Sequence, residues 1–298
     1  MRCLKLLRRY NKEDILLGII NYSILAIILF ITLYPFYYVL VLSFNQGIDA
    51  SLGGIYWFPR KFTLENYKEF FTDNTWINGI AISVLTTVVG TALSVFFTTM
   101  ISYGLSFNNL VYRKTYMTLI IISMYFSGGI IPYYILLKFL HLLNSFWVYV
   151  IPGALNTFFV IVGISFFSAI PPSLRESAKI DGASELTVFM KIILPLSKPF
   201  VATLVLFVGV GKWNDWFTPA FFIRDNSLRN LSYLMMEIIN RNMASLQSSL
   251  GVAVQNTGKT SLSIQMTSMI IAVIPIVCVY PFLQKYFVKG IMIGSVKE

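Results

Sequence analysis

Five stretches of this chain, residues 15–48, 74–112, 115–137, 139–174 and 260–284, contain no Asp, Glu, Lys or Arg. A helix crossing about 30 Å of hydrocarbon needs roughly 20 mostly apolar residues, because each residue adds about 1.5 Å. Each stretch is long enough to hold one such helix. With 56% hydrophobic and only 12% charged residues, the chain cannot hide its apolar surface from water alone, whereas a soluble domain carries about a quarter charged residues. The expected fold class is all-α: a polytopic membrane protein with spans at about 15–43, 77–101, 115–136, 146–168, 197–221 and 263–287. No internal repeat or low-complexity linker divides the chain, so residues 1–298 are read as one transmembrane domain.

The net charge of +10 does not point to nucleic acid, because the basic residues flank the apolar stretches and do not gather on a polar domain. Arg2, Lys5, Arg8 and Arg9 precede the first stretch like the start of a signal peptide, but that stretch is too long and lacks a small-residue cleavage site. With the N-terminus inside, 14 of the 23 basic residues fall on the inner side, although the outer loops are longer. The positive-inside rule therefore predicts that both termini are cytoplasmic. Trp57, Trp76 and Trp147 fall near the outer boundaries, where amphipathic rings are enriched. Cys3 and Cys278 stand at opposite ends, and His141 is the lone histidine, so no metal site or disulfide is expected. Two long outer segments, 44–76 and 223–262, are either plain connectors or carry short helices. Thr63 suits a cap in the first, and Leu231, Leu234, Met235 and Ile238 give the second an amphipathic pattern.

The segment 171–199 carries the most local information. Ser173 and Glu176 have capping-box spacing, and Pro171 and Pro172 stop the preceding span. Gly182, beside Asp181, suits a left-handed turn. Ser184 then caps a second short helix in which Leu186, Phe189, Met190 and Ile193 form one apolar stripe, ending near Pro195. Two short helices joined by a glycine turn make a knob that either docks on a partner or packs back on its own membrane domain.

Glu176, Ser177, Ala178, Gly182, Ile192, Leu194 and Pro195 resemble the EAA loop of the permease subunits of binding-protein-dependent ABC importers, with Ser177 replacing one alanine. The resemblance implies that this cytoplasmic loop, Asp181 and Phe189 included, forms the coupling helices that sit in a cleft of an ATPase. Ser127-Gly128-Gly129-Ile130-Ile131-Pro132, Ile180-Asp181-Gly182-Ala183-Ser184, Leu194-Pro195-Leu196-Ser197-Lys198-Pro199, Trp213-Asn214-Asp215-Trp216-Phe217 and the tail 287–297 are similar to maltose-type carbohydrate permeases, especially the complex-oligosaccharide branch of Gram-positive bacteria. That resemblance implies a carbohydrate solute, a second homologous permease in a heterodimer, a cytoplasmic ATPase dimer and an extracellular solute-binding protein, all at a bacterial cell membrane. No Walker motif occurs, so no cofactor is expected in this chain, and ATP and Mg would be bound by the partner ATPase.

Charged groups within a span usually face a cavity or a partner helix. Lys212, Trp213, Asn214, Asp215 and Trp216 combine charge, amide and aromatic faces suited to a sugar, with Asn156 a further candidate. The competing reading makes this cluster an interfacial anchor beyond an early end of the span. The rival function is an autonomous secondary transporter or channel, which should show inverted repeats or coupling-ion carboxylates, and neither is found. A membrane-embedded enzyme is disfavoured because no His, Cys or paired-carboxylate cluster is present.

Overall fold

In the computed structural model, which describes residues 12–247 and 261–295, the charge-free run from Ile15 is one continuous helix as far as Ser43, in α1 (Lys12–Ser43). Arg2, Cys3, Lys5, Arg8, Arg9, Lys297 and the stretch 248–260 lie outside the described residues. Among the described residues, three helical segments are long and apolar enough to cross a membrane singly: Ile15–Ser43, Asn74–Ser106 and Leu262–Phe282. The described chain divides into two compact units.

One unit contains α1, α2 (Gly47–Ser51), most of α3 (Glu65–Thr72) and the first part of α15 (Ser261–Ser295). Its core is Val41, Leu42, Ala50 and Ile55, with Tyr38, Leu262 and Met266 packed against them. The segment after α1 is no plain connector. Asn45 and Asn66 carry their side chains into it, and Asn66 Nδ2 donates to the carbonyls of Ser43 and Asn45 at 2.8 and 2.9 Å. Thr63 Oγ1 accepts from the Glu65 N–H at 3.1 Å, at the start of α3.

The other unit is built on α4 (Asn74–Ser106), which packs along α8 (Thr157–Ser168) and α12 (Lys198–Trp213). Three expected spans are not continuous. Residues 115–136 form α5 (Arg113–Tyr125) and α6 (Ile130–Phe139), bent by 116°, because Gly129 adopts φ +80° between them. Residues 146–168 form the single turn α7 (Trp147–Val150) and α8, interrupted around Gly153. Residues 197–221 form α12 and α13 (Phe217–Phe222), because Asp215 and its neighbours leave the helix. The amphipathic pattern after residue 226 is realised as α14 (Leu231–Gln247), with Leu231 and Leu234 buried. Trp76, in the first turn of α4, is buried and stacked on Phe70 at 4.9 Å, whereas Trp57 and Trp147 are exposed.

Small residues set the spacing of α4 and α8. A Cβ on Gly163 would come within 2.8 Å of both Ser102 Cβ and Phe200 Cζ. Close approach of membrane helices through small residues is a common packing solution. Gly163→Ala is therefore expected to destabilise the chain by about 1–3 kcal/mol through overpacking. The check is a lower midpoint in thermal aggregation of the purified protein, and an unchanged midpoint would contradict this account of the crossing.

Candidate functional site: a coupling loop and a cavity at a helix break

The loop 171–199 starts with α9 (Pro172–Ile180). Proline at the first helical position has a preset φ and lacks an amide that would be orphaned anyway, so the helix begins two residues earlier than expected. Ser173 is thereby inside the helix, Pro171 is the N-cap, and no capping box with Glu176 forms. At the other end, the Ala183 N–H donates to the Ala178 carbonyl at 2.9 Å and the Gly182 N–H to the Lys179 carbonyl at 3.0 Å. This is a Schellman closure, with Gly182 at φ +82°. Ala178 is buried at its base, which explains a small side chain there.

Ser184 caps α10 (Glu185–Val188), its Oγ accepting from the Thr187 N–H at 3.3 Å. A π-helical turn, Phe189–Ile193, then leads into α11 (Leu194–Leu196), so the helix runs through Pro195 and ends at Ser197. The Leu194 N–H reaches back to the Phe189 carbonyl, and such a widened turn eases the clash that a proline ring makes with the carbonyl four residues earlier. The wide turn also divides the expected stripe. Phe189 and Ile193 are buried, while Leu186 and Met190 are exposed.

Of the residues assigned to coupling, Glu176, Ser177, Asp181, Gly182 and Pro195 are exposed, Ile192 and Leu194 are half-buried, and Phe189 stacks on Tyr103 of α4 at 5.4 Å. Exposed Leu174, Ile180 and Leu186 add an apolar surface; Ile180 is 87% exposed. The sequence reading missed Glu185. Its carboxylate pairs with Arg175 and with Lys179 Nζ at 2.5 Å, and accepts from Tyr103 Oη at 3.3 Å. Arg175 also covers the Phe107 ring at 3.8 Å. The available signal was Arg175 and Lys179 at i, i+4 on α9, facing one acid beyond the turn.

Hydrogen bonding from Arg175, opposed by burial and reinforced by Lys179, lowers the Glu185 carboxyl from 4.5 to about 2. A depressed carboxylate contributes its stabilisation fully above its unfolded value and loses it as pH falls through the folded one. The clasp should therefore be unchanged from pH 5 to 8. Because the pair is partly exposed and screened, Glu185→Gln is expected to weaken the clasp by no more than about 1 kcal/mol. Hydrogen exchange at the amides of α9 should rise in this variant at pH 7, and equal protection in both proteins would contradict the clasp.

The second constellation lies where α12 ends. Asn214 N–H closes that helix on the Val210 carbonyl at 3.1 Å, and Asp215 Oδ1 accepts from the Thr218 N–H at 2.9 Å to start α13. Asn156 Oδ1 caps α8 by accepting from the Phe159 N–H at 3.1 Å. Asn156, Lys212, Asn214, Asp215 and Trp216 all line one cavity of about 380 Å³, a volume within the usual range for small-molecule sites. Lys212 donates to the Tyr149 carbonyl and lies against Gly90 and Gly153, which have no side chains to exclude it.

Trp213 is the exception among the candidates. It is buried beside Pro275 and Ile276, and its indole N–H donates to the Ala272 carbonyl at 3.0 Å. Ser94 was not anticipated. It lines the cavity with a buried hydroxyl that has no hydrogen-bond partner. Ser127, Gly128 and Gly129 line a separate cavity of about 490 Å³, which also includes Phe217.

Broken apolar helices, a cavity with charged and amide groups at one of the breaks, and a compact knob tied to the longest helix of this unit fit a membrane permease. The family model for the binding-protein-dependent transport system inner membrane component matches residues 78–293, and the chain belongs to that family. It is a multi-pass permease of an ABC importer at a cell membrane, which displaces the rival of an autonomous transporter. It is 41% identical over 267 residues to protein LplC of Bacillus subtilis, covering 90% of each chain. It is 36% identical to the polygalacturonan/rhamnogalacturonan transport system permease protein YtcP of the same organism, covering 95% of this chain and 98% of the relative. A crystal structure of a bacterial ABC transporter involved in import of the acidic polysaccharide alginate contains a chain with TM-score 0.82 and 27% identity, covering 93% of this chain and 99% of that one.

Proposed function

We propose that the chain is one of two different permease subunits of an oligosaccharide importer and that the cavity at the end of α12 is part of the solute path. The observation that carries this reading is the convergence of Asn156, Lys212, Asn214, Asp215 and Trp216 on one cavity. Charge and amide groups suit hydroxyl edges, and the indole suits a sugar face. The transport of polygalacturonan by YtcP and of alginate by the structural relative supports a saccharide over other solutes. The test is uptake of labelled uronate and neutral oligosaccharides by the reconstituted importer. Transport of amino acids or polyols alone would overturn the solute assignment.

In this reading, residues 1–298 act as one transmembrane domain with both termini in the cytoplasm. An extracellular binding protein delivers the solute, and ATP and Mg reside on a cytoplasmic ATPase dimer, because this chain has no Walker motif. The chain itself is a transport subunit without an ATPase site. The loop 171–199 docks on the ATPase, and its exposed Leu174, Ile180 and Leu186 supply apolar contact. Ile180→Glu should reduce recovery of the ATPase in a detergent pull-down by about tenfold or more, as expected for a charge placed in a desolvated contact. Undiminished recovery would point to a different docking surface. Labelling of a cysteine at position 114 from outside intact cells would reverse the orientation.

A further inference from the structure

The segment after α2 turns back along α1. Trp57 packs on the rings of Phe30 and Tyr34, with centroids 6.1 and 5.4 Å away, and Tyr37 Oη donates to the Trp57 carbonyl at 2.6 Å. Phe30 stands about 20 Å before the end of α1, at about 1.5 Å per residue. Residues 50–59 contain no charged side chain. Ile55 is buried beneath them, while Leu52, Tyr56, Trp57 and Phe58 project outward, Leu52 and Phe58 being 77% exposed. The shape is fixed from behind. Arg60 Nε donates to Asp49 Oδ2 at 3.1 Å and its Nη2 to the Gly53 carbonyl at 2.7 Å, which draws the charges away from the tip.

We propose that this 50–59 turn is a lipid anchor, inserted at the boundary between headgroups and acyl chains beside α1. The charge-free run of α1 starts at Ile15, and roughly 20 residues of helix bring it across the hydrocarbon near residue 35. Trp57 lies at that level. The turn thus continues the apolar surface of a helix whose Ile15–Ser43 segment has no buried residue in its most apolar window. A protein ligand would have to reach about 12 Å below the end of α1 to meet it, whereas a bilayer is already there. Aromatic side chains are enriched at this depth, and apolar faces of surface elements sink about 5–10 Å into it.

The test uses the full chain in its assembled importer, carrying Cys3→Ser, Cys278→Ser and Phe58→Cys, labelled with an environment-sensitive fluorophore. The vesicles are mixed phosphatidylcholine and phosphatidylglycerol, with a nitroxide either high on the acyl chain or near its end. The high nitroxide should quench position 58 by about twofold more than the deep one, given insertion of about 5–10 Å, and aqueous iodide should quench it little. A label at Glu65→Cys, in the first turn of α3, should show the reverse preference for iodide. Quenching of position 58 by iodide alone would overturn the anchor in favour of a water-facing surface. Quenching by neither would overturn it in favour of a protein cover.

Discussion

Gly182→Val should leave the chain in the membrane and sharply weaken productive coupling. The spans are untouched by this change, and a Cβ at Gly182 would meet nothing within 4 Å, so the penalty is conformational alone. At φ +82°, a β-branched residue is disfavoured by roughly 1–2 kcal/mol, which shifts a local equilibrium by about 5- to 30-fold. Both Schellman bonds, from Gly182 and Ala183 to the carbonyls of Lys179 and Ala178, depend on that angle. Losing them tilts α9 relative to α10, and the apolar surface carried by Ile180 and Leu186 no longer forms one face. Solute uptake by reconstituted vesicles should fall by at least the same factor, while the amount of inserted chain is unchanged. Gly182→Asn should recover a large part of it, because asparagine tolerates the left-handed region. Wild-type uptake by the valine variant would show that the loop is not the coupling element.

Lys212→Met should lower solute uptake by about tenfold or more, with assembly preserved. The substitution removes the ammonium from the cavity wall and leaves the Tyr149 carbonyl without its donor; an unsatisfied buried acceptor costs about 1–3 kcal/mol. Asp215→Asn separates charge from architecture. Asparagine can still accept from the Thr218 N–H as Asp215 does, so a fall in apparent solute affinity would report the lost charge at the cavity. Trp213→Phe is the contrasting control: it deletes the bond to Ala272 and should alter stability without altering apparent affinity. If Lys212→Met and Asp215→Asn both transport at the wild-type rate and affinity, the cavity does not belong to the solute path.

The part of the site that local chemistry specifies was visible in the sequence. Gly182 and Ser184 act within one turn of the chain, so their residue types alone indicated the left-handed closure and the N-cap. Where two local rules competed, the pattern misled. Pro172 outranked Ser173 because a preset φ at the first helical position needs no side-chain bond, and the capping box with Glu176 gave way. The stripe 186–193 assumed a regular 3.6-residue period, but the π turn before Pro195 breaks that period. Glu185 escaped notice because its partners, Lys179, Arg175 and Tyr103, are 6, 10 and 82 residues away, across a turn or on another helix.

The sequence by itself determined that this chain enters a bilayer, because charge-free stretches of that length have no other stable solvent, and it determined where the knob turns, because backbone strain at one glycine is a local property. Only the tertiary structure decided which side chains meet. It split the cluster after Lys212, turning Asp215 and Trp216 to the cavity and Trp213 toward Ala272. The direction of a side chain at the end of a helix depends on where that helix stops, and α12 stops where Asn214 closes on Val210 and Asp215 starts α13. Those bonds form against neighbours distant in sequence: Asn230 Nδ2 holds the Asp215 carbonyl, and Ser232 Oγ holds that of Trp213. No periodicity within the segment itself encodes them.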